Sequence, residues 1–196
     1  SRGLGDVYKR QAQMTVQPEF LPTTRAEMEK AGYEELDILL VTGDCYVDHP
    51  SFGVSIIGRL LTGCGYRVGL VAQPDWRDPE ALKVMGRPRI GVGVTSGNMD
   101  SMVNIYTVGR RFRKDDCFSE NGETGRRPPH ALIVYAQLVR QAFPGIRIQL
   151  GGLEASFRRI AHYDYWQDKI RPSVLLDSKA DILVLSLIHI SEPTRP

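Results

Sequence analysis

Apolar residues in this chain gather in short runs, and amphipathic stretches separate the runs. Residues 37–42 read DILLVT and stop at Gly43-Asp44. Residues 66–72 (YRVGLVA), 89–95 (RIGVGVT) and 146–150 (IRIQL, ending in Gly151-Gly152) are further strand candidates, and 181–184 begins one more run. An uninterrupted run of this length signals a strand buried on both faces, as in a parallel sheet. Between the runs the period changes. Thr24-Arg-Ala-Glu27 is a capping-box pattern and Gly32 a helix stop, which predicts a helix over about 24–31. Helical spacing recurs over 52–61 and most strongly over 128–143. A short helix is expected to open at Asp78-Pro79 and another to occupy 153–160. Residues 106–128 are polar, charged and glycine-bearing and read as a long surface loop. Strand alternating with helix predicts an α/β domain with a doubly wound, mostly parallel sheet, Rossmann-like or flavodoxin-like.

The two ends bear on how much of the chain enters that reading. A DNA stretch encoding residues 1–11 (SRGLGDVYKRQ) has a reverse complement that encodes LSLIHISEPTR, which is residues 185–195 without a mismatch. Two natural peptides are almost never related in this way. The expectation is that 1–11 and 185–196 derive from a sequencing adapter, that 12–184 is one native domain, and that the chain is a piece of a larger protein without a complete catalytic centre.

Composition narrows the class. Across 196 residues, 42% hydrophobic and 24% charged is ordinary for a globular domain. A net charge of +2 gives no reason to expect nucleic acid or an acidic membrane. No apolar run is long enough to span a bilayer. Three scattered cysteines, Cys45, Cys64 and Cys117, fit a reducing cytoplasm and supply no Cys-x-x-x-Cys-x-x-Cys cluster motif. There is no phosphate-cradling Gly-x-x-x-x-Gly-Lys loop, no Gly-x-Gly-x-x-Gly after the first strand and no His-Glu-x-x-His. Gly91-Val-Gly93 falls inside a strand.

In a parallel sheet, ligands bind outside the carboxyl ends of the strands. Three polar, glycine-rich loops are expected there: 43–53, 95–101 and 151–156. Their candidate lining residues are Asp44, Asp48, His49, Asn98, Asp100, Gly151, Gly152 and Glu154. Each has a plainer reading. Asp44 and Asp48 can cap helices, His49 can belong to a turn, Asn98 and Asp100 can close one, and the glycine pair can serve tight packing. His162, Tyr163 and Asp164, with Tyr165 and Trp166, make a polar aromatic cluster suited to a pocket wall or a domain interface, or to an aromatic corner. Arg110, Arg111, Arg113, Lys114, Arg126 and Arg127 make a basic loop. Its default is solvated surface, with phosphate or RNA contact the weaker reading.

Several longer words then fall into a known order: VTGDCYVDHPSFG (41–53), RVGLVAQPDW (67–76), GVTSGNMDSMVN (93–104), LGGLEASFRRIAHYDYW (150–166) and SVLLDSKADIL (173–183). Together they resemble the N-terminal region of YgiQ-type radical SAM proteins, over nearly all of 20–184. The resemblance implies a Rossmann-like domain placed ahead of a radical SAM barrel. That barrel would carry a 4Fe-4S cluster and S-adenosylmethionine, whose reductive cleavage gives a 5′-deoxyadenosyl radical. No ligand of either cofactor is carried over to a residue here. The layout is also similar to cobalamin-binding domains, whose loop carries Asp-x-His-x-x-Gly. Here Asp48 and His49 are adjacent and Gly53 lies four residues beyond, so cobalamin is not expected. The implied role is to handle substrate or close the barrel, with the barrel as partner and the substrate unknown. The alternative is a non-catalytic nucleotide- or cobalamin-binding module.

Overall fold

A computed structural model describes residues 19–185; the end segments expected to be adapter-derived lie outside the described residues, Leu185 apart. Helix α1 (Arg25–Lys30) opens as the capping pattern requires. The Glu27 N–H donates to Thr24 Oγ1 at 3.3 Å, and the Glu27 carboxylate accepts from the Thr23 N–H at 2.7 Å, one residue earlier than in the standard box. The chain leaves at Gly32, whose φ of +76° suits glycine.

The predicted strands are β1 (Ile38–Thr42), β2 (Val68–Ala72), β3 (Gly91–Thr95), β4 (Arg147–Gly151) and the two-residue β7 (Ile182–Leu183). They form one parallel sheet in the order β2-β1-β3-β4-β7. This is the flavodoxin-like order, with its reversal point between β1 and β3. Helix α2 (Gly53–Gly63) packs on one face, where Leu40, Val54, Val68, Leu70 and Leu21 form a small core. The other face carries a 3₁₀ helix (Pro79–Met85), α4 (Ala131–Ala142) and α6 (Val174–Ser178) over the main core of Leu39, Val41, Val92, Val94, Ile148 and Leu150. Two short helices, α3 (Ser101–Ile105) and α5 (Leu153–Phe157), start at the carboxyl ends of β3 and β4.

Three expectations change. The helix expected over 128–143 begins only at Ala131, because Pro128-Pro129 delay it and His130 turns left-handed at φ 51°. Its first N–H, that of Ala131, is capped from outside by Ser101 Oγ at 3.0 Å. The helix expected over 153–160 stops at Phe157. The aromatic segment beyond it is half of an antiparallel hairpin, β5 (His162–Asp164) with β6 (Lys169–Arg171). Strands of three residues are too short for a periodicity to declare itself.

Candidate functional site: the carboxyl rim of the sheet

The loops after β1, β3 and β4 share one rim, as parallel strands demand. Two buried ion-pair clusters fill it. The first straddles the reversal point. Arg127 Nη2 donates to Asp44 Oδ1 at 2.6 Å and Nη1 to the Ser96 carbonyl at 2.6 Å. Asp116 lies 3.6 Å from the same guanidinium. The Arg127 and Asp44 side chains are only 1% and 2% exposed. Asp44 Oδ2 accepts from the Asn98 N–H at 2.7 Å, which ties the β1 loop to the β3 loop. A Cβ on Gly97 would fall 2.0 Å from Asp44 Oδ1, and one on Gly43 would fall 2.4 Å from the Ser96 carbonyl oxygen. The two loops therefore close on each other, with the guanidinium between them. Burial pushes the Asp44 carboxyl above its ordinary value, and the Arg127 charge opposes that shift.

The second cluster lies between β3, β4 and the hairpin. Asp100 caps α3 by accepting from the Met102 N–H at 2.9 Å, and also receives Arg158 on both oxygens, at 2.9 and 3.0 Å. Such a fork-to-carboxylate pair fixes orientation as well as charge. Arg158 reaches on to His162 Nε2 at 3.4 Å and to Asp164 at 3.9 Å. His130 Nε2 approaches Asp164 Oδ2 at 3.4 Å, and burial lowers the imidazole pKa against the pull of that carboxylate. Asp164 Oδ2 is buried without a hydrogen bond. Glu154 is sealed beside Asp100 and accepts from the Ser101 N–H at 2.7 Å; burial first, and then the Asp100 charge, raise its pKa.

The sequence candidates thus separate. Asp44 and Asn98 meet in the first cluster; Asp100, Glu154, His162 and Asp164 meet in the second. Asp48 turns instead to Arg59 of α2, its Oδ1 accepting from Nε at 3.3 Å. His49 is exposed, and its Nδ1 accepts from the Ser51 N–H at 3.1 Å. Gly152 has a packing reason: at φ +88°, a Cβ there would meet Thr95 Oγ1 at 2.5 Å, while Gly151 faces open space. Tyr163 is exposed on the outer side of the hairpin, opposite Ile170.

The cations Arg127, Arg158 and His130 were missed among the candidates. Arg127, which by sequence belongs to the basic loop, is buried and faces inward. No local signal sets it apart from its solvated neighbours, because its partner Asp44 lies 83 residues away. Of the rest of that loop, Arg126 pairs with Glu123 at 2.6 Å, and Arg110 stacks on Tyr165 with its carbon 4.7 Å from the ring centre.

Two adjoining grooves of about 470 and 380 Å3 open beside the first cluster. They share Gln73 and Arg126; Trp76 lines the first and Tyr46 the second. Among the described residues no three His, Cys, Asp or Glu side chains are grouped to hold a metal, and the three cysteines are free and apart. The residues present therefore do not fit an iron–sulfur cluster. No helix among the described residues is long and apolar enough to cross a membrane.

The family model for the radical SAM N-terminal region matches residues 20–189. The chain belongs to the radical SAM N-terminal family. A UPF0313 protein of Rhodopseudomonas palustris is 61% identical over 165 residues, which cover 84% of this chain and 24% of that protein. UPF0313 proteins of Vibrio vulnificus and Thermotoga neapolitana are 58% and 55% identical; the matched regions cover 84% and 86% of this chain, and 22% and 30% of the relatives. The chain thus spans about a quarter of the length of these relatives. No solved structure matches it. The family and the flavodoxin-like sheet agree with the order of words and strands read from the sequence.

Proposed function

We propose that this domain is the non-catalytic cap of a radical SAM enzyme, with its rim loops 43–53, 95–101 and 151–156 turned toward the barrel of the full-length protein. The chemistry would belong to the 4Fe-4S cluster and S-adenosylmethionine held by that barrel. One observation carries this reading. The rim carboxylates Asp44, Asp100, Glu154 and Asp164 are engaged inside the domain, and the adjoining hairpin presents Tyr163 and Ile170, 57% and 79% exposed, to the outside. A rigid polar rim beside an apolar patch suits docking better than acid–base work.

A corrinoid or nucleotide module is not favoured. In this strand order a ligand would enter at the reversal point, and Arg127 already occupies it.

The test is cross-linking of the full-length, cluster-reconstituted protein with a lysine-reactive reagent. Lys169, exposed on β6, is expected to join residues beyond the matched N-terminal region, and Ile170→Asp to weaken that link. If Lys169 links only to its own domain, the docking reading fails.

A further inference from the structure

Strands β1 and β2 are sealed on both faces, but β3, β4 and β7 are sealed on one. On the α4 face Val92, Val94, Ile148 and Leu150 are at most 2% exposed. On the α2 face the register sets Gly91 beside Arg147, Gly93 beside Gln149, and Gln149 beside Ile182. There Arg147, Gln149 and Ile182 are exposed, and a Cβ built on Gly151 has nothing within 4 Å. A parallel sheet with a bare face departs from the rule that both faces are covered. The bare area is a trough. Its floor is the glycine backbone of β3, with Leu40 leaning over Gly93, where a Cβ would fall 2.9 Å from Leu40 Cδ2.

Helix α2 forms one wall. Its flank toward the outer edge of β2 is closed by the segment before α1: the Pro22 carbonyl accepts from the Leu70 N–H at 2.8 Å, and Leu21 fills the space over Gly58. The flank toward β3 is therefore the one carrying half-buried Ile57 and Leu61, with Leu60, 55% exposed, above them on the outer side of the helix. Ile182, 47% exposed, stands at the opposite side.

We propose that the native segment following β7 in the full-length protein is an amphipathic helix seated in this trough, antiparallel to the strands. The relatives supply the polypeptide: the matched family model is an N-terminal one, and the stretch aligned with this chain covers about a quarter of a relative's length. Strand β7 borders the bare face, so the next residues reach it without a long connection. Five-residue strands run about 16 Å, which a helix of about 11 residues spans. Charge agrees with the direction. A helix lying antiparallel ends over the start of β4, where the Arg147 guanidinium meets the negative end of the helix dipole. The open space at Gly151, beside exposed Gln149, leaves room for a side chain of the helix at the rim end of the trough. This inference rests on family membership and on the bare face, not on the rim-docking reading.

The test uses the full-length protein with single thiols: Gln149→Cys in the trough, Glu29→Cys on exposed α1, and Val94→Cys on the sealed face. Maleimide labelling is read peptide by peptide, which separates these thiols from the native cysteines. With Val94→Cys protected, so that the domain is folded, Gln149→Cys is expected to label about tenfold more slowly than Glu29→Cys or slower still. A photo-cross-linker on Gln149→Cys is expected to capture the residues directly after β7. Equal labelling at 149 and 29 overturns the proposal. Capture of the barrel or of a second copy overturns the assigned occupant. The Lys169 cross-link is read separately, so either proposal can fail alone.

Discussion

Arg127 and Asp44 meet at 2.6 Å across 83 residues of sequence, both side chains shut away from solvent, at the point where the strand order reverses. In this fold that point is where a ligand is expected. The domain supplies its own cation there. Replacing Arg127 with Met is expected to destabilise the domain by about 3–5 kcal/mol, because Asp44 and Asp116 are left as buried, uncompensated charges. Lys at 127 recovers only part of this, since one ammonium cannot serve both Asp44 and the Ser96 carbonyl in the forked geometry. Urea denaturation measures both.

Gly97 is fixed by the same contact. It combines φ +105° with a Cβ position 2.0 Å from Asp44 Oδ1. Gly97→Ala is expected to cost about 2 kcal/mol or more, from backbone strain and displacement of the carboxylate together. Gly125→Ala, at φ +87° with open space around it, isolates the backbone part and is expected to cost about 1 kcal/mol. A smaller loss at 97 than at 125 would mean that the two loops are not closed.

Stability should respond to pH through two carboxyls of opposite sense. The Glu154 pKa is raised in the fold above its ordinary 4.5, by burial and by the Asp100 charge. Its contribution is full below the unfolded value and is lost as pH climbs through the raised one. Glu154→Gln is expected to flatten that decline and to stabilise the domain at neutral pH. The Asp37 pKa is lowered below 3.8, chiefly by its hydrogen bonds from Arg67. Its contribution is present above that value and is lost as pH falls through the lowered one, so Asp37→Asn is expected to flatten the acid limb. Denaturation midpoints across a pH series check both signs.

The hairpin holds to the rim through Asp164 and Arg158. A two-stranded ribbon is marginal alone. Arg158→Ala is expected to release it, with trypsin cutting sooner after Lys169 and Arg171 while the far-ultraviolet dichroism of the sheet persists. Unchanged cleavage would show that the hairpin is anchored elsewhere.

What the sequence disclosed follows from which forces act locally. Runs such as DILLVT and RVGLVA announced β1 and β2 because both faces of those strands are buried. Thr24 and Asp78 announced helix starts because capping is a contact between near neighbours, whereas Asp100, expected to close a turn, caps the short α3. The bare face is not among the expectations, although GVGVT and RIQLG alternate, with Gly91, Gly93, Arg147 and Gln149 on one side. The partners of Asp44 and Asp100 were not legible. Arg127 lies 83 and Arg158 58 residues away, and nothing local distinguishes a buried arginine from a solvated one. The expected loop grouping put Asp48 with Asp44, whereas four residues of chain are enough to carry Asp48 to Arg59.

The span of the Arg127–Asp44 bond also sets an order of events in assembly. Closure over 83 residues is entropically slow and gains nothing until β1 and β3 lie side by side. The local helices and the sheet must come together first, while Asp44 is still hydrated. The rim is then expected to be among the last parts to set, and a chain halted before residue 127 during synthesis would lack not only the cation of the rim but also α4 and β4, on which the main core is built.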